Sequence, residues 1–320
     1  MAAALLTPLF MGMTPVFGKL AMRGGLDAFT LSTLRTCLAA LVLWIVYLVF
    51  FRRYIFIFPA GLLGTAAVGV VNGLGSLFYY NGLLLLDNAS MAQILFMTYV
   101  VFTMLLTHAE GQRISAVSVV RGALALAAVW MLASGAGQSG HVHWLGVSLC
   151  LIGAALYALH VIISQRVMFE MPAPTMALYG LSFMGLTVFA VRLIVGSASP
   201  LAWTPTAPVS WWYVAGLMAV TALSRVTLFA GVRSLGGLQA VLLNVAEMGV
   251  TLLVAFVWLD ERMTLVQWIG VALLVVSALL ARWEPGEGVP VEDGPARRPV
   301  PRRLFGRWFS VRFGLRQITG

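Results

Sequence analysis

Charge is what this sequence has least of. Asp, Glu, Lys and Arg make up 10% of its 320 residues, against about 25% in soluble globular chains. So few charges cannot cover a water-facing surface. Cysteine is nearly absent: two residues, Cys37 and Cys150, exclude a disulfide scaffold, a thiolate metal cluster and an iron–sulfur centre with four Cys ligands. Both stand in apolar runs and read as small core residues. There is no GxxxxGK[ST] phosphate loop, so the chain carries no nucleotide-driven motor of its own. HVH at 141–143 lacks an HExxH frame and His108 is distant in sequence, so no metal site is expected. Enzyme motifs and cofactor signatures are missing throughout, and neither an enzymatic activity nor a cofactor is expected. No Lys or Arg precedes Lys19, so the basic n-region of a secretory signal is absent and the first apolar segment is expected to remain as a helix.

Apolar residues are what it has in excess, at 61% of the chain against roughly 45–50% in soluble proteins. A helix needs about 20 mostly apolar residues to cross hydrocarbon, and runs such as 54–86, 171–191 and 193–224 carry no Asp, Glu, Lys or Arg. Strands are not expected, because a barrel shows short alternating segments rather than continuous runs. The pattern predicts an all-α integral membrane protein of ten transmembrane helices. They fall near 2–22, 29–50, 57–81, 88–107, 116–136, 144–164, 173–194, 211–231, 238–258 and 264–282. With both termini in the cytoplasm, inner loops hold Arg52, Arg53, Arg113, Arg166 and Arg233, and outer loops only Arg23 and Arg262. That obeys the positive-inside rule and predicts a multi-pass protein of the plasma (inner) membrane.

The chain also repeats itself. FYYNGLLLLDNASMAQILFMTYVVFTMLLTHAE ends at Glu110, and FAGVRSLGGLQAVLLNVAEMGVTLLVAFVWLDE ends at Glu261. Aligning the two glutamates sets Ala89 over Ala240 and Met97 over Met248, and a long apolar helix follows each copy. Two five-helix repeats are expected, at 1–137 and 143–283, with 284–320 as a cytoplasmic Pro/Gly linker and basic tail. An odd number of spans per half inverts the second copy in the membrane, an arrangement suited to alternating access.

Several segments are similar to the drug/metabolite transporter superfamily, in particular its EamA-type members, over about residues 5–283. FMGMTPVFGKLA leads to Lys19, LRTCLAA carries Arg35, NASMA and LQAVLLNVAE open the repeated helices, and WLDERMTLVQWIGVALLVVSALL holds Glu261 and Gly270. The resemblance implies ten helices in two inverted halves with cytoplasmic termini. It also implies a secondary transporter of a small organic solute (amino acid, metabolite or drug-like), working as an exporter or exchanger. Where such proteins have prolines in helices 4 and 9, this chain has Met97 and Met248, so a kink in those helices is not assumed. The competing reading is a non-transporting membrane scaffold with the same fold.

Ionisable residues deep in spans mark sites, because a charge in hydrocarbon is costly. Arg35, Arg225 and Glu247 lie well inside predicted helices. Glu247 reads as a coupling carboxylate for a proton, as a counter-charge to the solute, or as half of an ion pair with Arg225. Arg35 and Lys19 read as a basic vestibule for a carboxylate or phosphate, or as side chains reaching outer headgroups. His160 is a proton relay or a packing residue. Asn72, Asn81, Gln93 and Asn244 are pore-lining groups or interhelical glue, and Tyr80 and Tyr99 are stacking surfaces or core aromatics. In the tail, Leu304, Trp308, Val311 and Leu315 form one helical stripe among seven Arg from Gly294 onward. This segment is expected to lie on anionic lipid rather than to bind nucleic acid.

Overall fold

The computed structural model describes residues 2–109, 116–136, 143–168, 171–198, 208, 210–231 and 237–280. Glu110, the HV of the HVH loop and the tail stripe lie outside the described residues. Helices fill the rest, with no strand among the described residues. They are α1 (Ala2–Arg23), α2 (Ala28–Phe50), α3 (Pro59–Leu85), α4 (Ala89–Met97), α5 (Tyr99–Ala109) and α6 (Ala116–Ala136). Then come α7 (Trp144–Met168), α8 (Ala173–Ala198), α9 (Ser210–Gly231), α10 (Gly237–Leu259) and α11 (Leu265–Leu280). In hydrocarbon a backbone has no water to bond, and a helix satisfies its own groups. Among the described residues, five segments are long and apolar enough to cross a membrane, with shorter apolar helices at 119–131, 246–259 and 265–277. The protein is a multi-pass membrane protein.

Local chemistry sets the helix ends. Gly25 turns the chain between α1 and α2 at φ 92°, where a side chain would be strained. Asp27 then caps α2, its carboxylate accepting from the Thr30 N–H at 2.8 Å. Pro59 opens α3 at the first helical position, where its missing N–H is not needed.

The expected helix 88–107 is one apolar segment, Ala89–Ala109, long enough to cross a membrane and interrupted at a single residue. The break falls at Thr98, directly after Met97, with no proline to cause it. Thr98 Oγ1 donates to the Leu95 carbonyl at 2.6 Å, and the Thr98 N–H reaches the same oxygen at 3.2 Å. The turn tightens to three-residue spacing and stops there. Beyond it, the N–H groups of Val101 and Phe102 both bond Thr98 O, at 2.9 and 3.3 Å. Helix α10 runs unbroken through Met248. Met97 and Met248 meet in one buried cluster with Ile94, Ala125, Ala128, Val271 and Leu274, where flexible thioethers fill the space between α4, α6, α10 and α11.

Packing runs mostly between the front and back of the chain. Helix α3 lies against α7 and α8, α1 against α9 and α10, and α6 against α11. Small residues permit these approaches. A Cβ on Gly82 of α3 would stand 2.9 Å from the Gly146 carbonyl of α7, and one on Gly69 would stand 2.7 Å from the Gly180 carbonyl of α8. Leu41, Ile45 and Leu48, exposed along one face of α2, are suited to acyl chains.

Candidate functional site

Helices from both parts of the chain enclose a cavity of about 390 Å³, near the small end of ligand sites (about 300–1,000 Å³). Thr7, Met11 and Thr14 recur at four- and three-residue spacing and put one face of α1 on it. Thr221, Ser224 and Arg225 do the same from α9.

Arg35 enters from α2, 8% exposed. Its Nη2 donates to Ser76 Oγ of α3 at 2.8 Å, and Ser76 is itself within 3.1 Å of Ser32 Oγ. The guanidinium carbon sits 4.7 Å from the centre of the Tyr80 ring, a cation–π contact. Arg35 Nε and Tyr80 Oη are buried without a hydrogen-bond partner. Arg225 opens on the same cavity, half-buried.

Glu247 of α10 lines the same cavity. Its Oε1 accepts from Gln93 Nε2 at 2.9 Å, and Gln93 Oε1 accepts from Tyr79 Oη at 3.3 Å. This phenol–amide–carboxylate chain joins α3, α4 and α10. The expected Glu247–Arg225 ion pair is not made: among the described residues the ion pair is the exposed Arg262–Asp260, at 3.1 Å. The reason lies in the packing, because α1 lies against both α9 and α10 and fills the place where those sequential helices would have met.

Aromatic rings line one side without interruption. Phe96 is 4.9 Å from Tyr79 and 4.9 Å from Tyr157, and Tyr99 is 4.9 Å from Tyr157, centroid to centroid. All four line the cavity with Tyr80.

The other predicted residues separate into two groups. Asn72, Gln93, Tyr80 and Tyr99 line the cavity with Arg35, Arg225 and Glu247, and Asn72 Nδ2 reaches Met184 Sδ at 3.3 Å. Lys19, Asn81 and His160 are not among its lining residues. The Lys19–Arg35 vestibule is corrected: the Lys19 ammonium donates to the Leu83 carbonyl at 2.9 Å and also to that of Leu86. It therefore neutralises the C-terminal carbonyls of α3. Asn81 Nδ2 donates to the Leu77 carbonyl one turn back at 2.8 Å, and His160 Nδ1 lies 3.3 Å from the Val68 carbonyl. The Asn244 side chain lies outside the described residues. Among the described residues no group of three potential metal ligands assembles.

Sequence reasoning left Ser76, Tyr157 and Phe96 off the candidate set. The signal for Tyr157 was its place three residues before His160 on one helix; Ser76 carried none by itself. Glu261, known from sequence only as a loop acid, is 7% exposed and caps α4. It accepts from the N–H groups of Ala89 and Ser90 at 2.6 and 3.0 Å and from Ser90 Oγ at 2.5 Å.

A family model described as EamA-like transporter family matches residues 1–134 and 144–283. Comparison with curated proteins gives no match. A solved structure described only as "Crystal structure of protein" is similar in fold, with a TM-score of 0.59 at 16% identity, covering 88% of this chain and 97% of its own.

Proposed function

The chain belongs to the EamA-like transporter family, and we propose that it carries a small organic solute across the membrane by alternating access. Members of that family are transporters rather than enzymes. In this proposal α4 and α5 together make one span, giving ten spans in two inverted halves, residues 1–137 and 143–283. The internal repeat supports that division, and so do the two separately matched segments. The single observation that carries the proposal is the cavity, lined by polar groups from α1–α4 as well as α9 and α10. A scaffold with the same fold would gain nothing from burying Arg35, Arg225 and Glu247 around empty space, since each costs desolvation.

The short α3–α4 connection is held by charge: Lys19 of α1 binds the end of α3, and Glu261, in the connection after α10, binds the start of α4. By the positive-inside count this connection lies on the outer side, with both termini cytoplasmic in the plasma membrane. Direction of transport is assigned to export or exchange. Within the cavity Arg35 and Arg225 act as solute counter-charges, and Glu247 positions solute with Gln93 or exchanges a coupling proton. The basic tail is assigned to anionic lipid.

Purified protein in sealed vesicles tests the proposal. Uptake of external labelled solute into vesicles preloaded with the same unlabelled solute, over a solute panel, should exceed that of protein-free vesicles for at least one member. No acceleration for any member, with the protein folded and inserted, leaves the scaffold reading.

A further inference from the structure

We propose that the cavity, read as the solute site, takes a small aromatic monocarboxylate whose carboxylate sits between Arg35 and Arg225 and whose ring lies on the tyrosine wall. The charge count is the first observation. Two guanidiniums and one carboxylate line the cavity, leaving one positive charge uncompensated. Among the described residues neither arginine makes an ion pair within the protein. Like charges sharing a cavity repel each other, and an anion between them relieves that.

The second observation is how Arg35 is held beside the cavity. Ser76 at 2.8 Å and the Tyr80 ring at 4.7 Å hold the guanidinium in place from one edge and one face. Nε is fully buried, so it is the rest of the guanidinium that a solute would meet. A planar carboxylate matches a guanidinium edge with two parallel bonds. A phosphate monoester carries about −1.5 to −2 charge and exceeds the single positive charge available.

The charge count argues against a cationic or zwitterionic solute: beside two guanidiniums and one carboxylate, a cation would raise the positive excess to two and a zwitterion would leave it at one, whereas a monoanion cancels it. The five rings of Tyr79, Tyr80, Phe96, Tyr99 and Tyr157 favour a flat body, which stacks edge-on or offset against them. A volume of about 390 Å³ suits one or two fused rings.

A panel with one ring and varied charge tests this on full-length protein in detergent. The probes are phenylacetate, phenylacetamide, phenylethylamine, phenylalanine and phenyl phosphate, each titrated by calorimetry. Phenylacetate should bind at least tenfold tighter than each of the others. Arg225→Gln should erase its advantage over phenylacetamide while the unliganded melting temperature shows the variant folded. The wild-type ranking needs no variant, so it stands as a test even where Arg225→Gln fails to fold. Equal binding of the amide, tighter binding of the amine or amino acid, or binding of none overturns the proposal. Vesicle exchange scores transport separately. Uptake of any member keeps the transporter assignment when the ranking fails, and a bound but untransported phenylacetate leaves the anion site without transport.

Discussion

Gln93 shows how little freedom a buried polar residue keeps once both ends of its amide are in use. Its oxygen accepts from Tyr79 and its nitrogen donates to Glu247. Glu247→Gln preserves shape and removes the charge, so folding should survive. If Glu247 exchanges the coupling proton, this variant should bind solute but lose the acceleration of uptake by a pH gradient. Vesicle uptake with and without a gradient, on amounts matched for folded protein, decides it: an unchanged gradient response in Glu247→Gln removes Glu247 from coupling. Glu261 makes a different kind of contribution. Its two oxygens receive three donors at the start of α4, and hydrogen bonds to a charged group are each worth about 1.5–3 kcal/mol. Glu261→Leu leaves the Ala89 and Ser90 N–H groups buried and unmet, and should destabilise by about 2–4 kcal/mol. Glu261→Gln keeps one acceptor oxygen and should lose less. Thermal unfolding in detergent, wild type beside both variants, gives the order.

At the scale of the element, glycine spacing and helix breaks decide what the helices do. A Cβ at Gly82 would meet Cys150 Sγ at 2.5 Å and the Gly146 carbonyl at 2.9 Å, and that carbonyl cannot move without shifting α7. Gly82→Ala should cost about 1–3 kcal/mol, the usual price of overpacking. Gly249 is the contrasting case, with nothing within 4 Å of a Cβ built there. Gly249→Ala should stabilise α10 by about 0.5–1 kcal/mol through helix propensity. A fall in melting temperature at Gly249, or none at Gly82, would contradict these packing assignments. The break after Met97 belongs to this scale too. Sequence pointed to proline as the cause of a kink, and proline is missing, yet Thr98 ends the helix by taking the Leu95 carbonyl with both its hydroxyl and its N–H. Threonine in a helix more often bonds backward and stays helical, as Thr103 does to Tyr99 at 2.8 Å. The residue type therefore carried no warning.

For the whole molecule the testable matter is sidedness. Arg53 lies in the short 3-10 turn Arg52–Tyr54 after α2, and Asp87 lies in the connection between α3 and α4. Both are exposed. Because α3 separates them, cysteines placed singly at Arg53 and Asp87 should label from opposite faces of intact cells. The background needs Cys37 and Cys150 replaced. Arg53→Cys should react from the cytoplasmic face and Asp87→Cys from the outer one. Reaction of both with an impermeant reagent from outside would overturn the topology proposed from the arginine count.

The all-helical membrane class and the positions of the helices were legible in the sequence because both follow from a local quantity, the length of an uncharged apolar run, which the bilayer reads one segment at a time. Family membership was legible for the same reason, in motifs such as FMGMTPVFGKLA and WLDERMTLVQWIG that stay contiguous. Arg35, Arg225 and Glu247 stood out because a charge deep in an apolar helix is costly wherever the helix packs. What the charges touch was not legible. Arg225 and Glu247 looked paired because their helices are consecutive, but α1, from the other end of the chain, packs on both. Lys19 and Arg35 looked like one vestibule because both lie toward the same side of the membrane. Packing instead sends Lys19 to the carbonyls ending α3 and Arg35 to Ser76 and Tyr80. Rotation of each helix about its axis and the choice of its neighbours arise from contacts far apart in sequence, and those contacts exist only after the helices have packed.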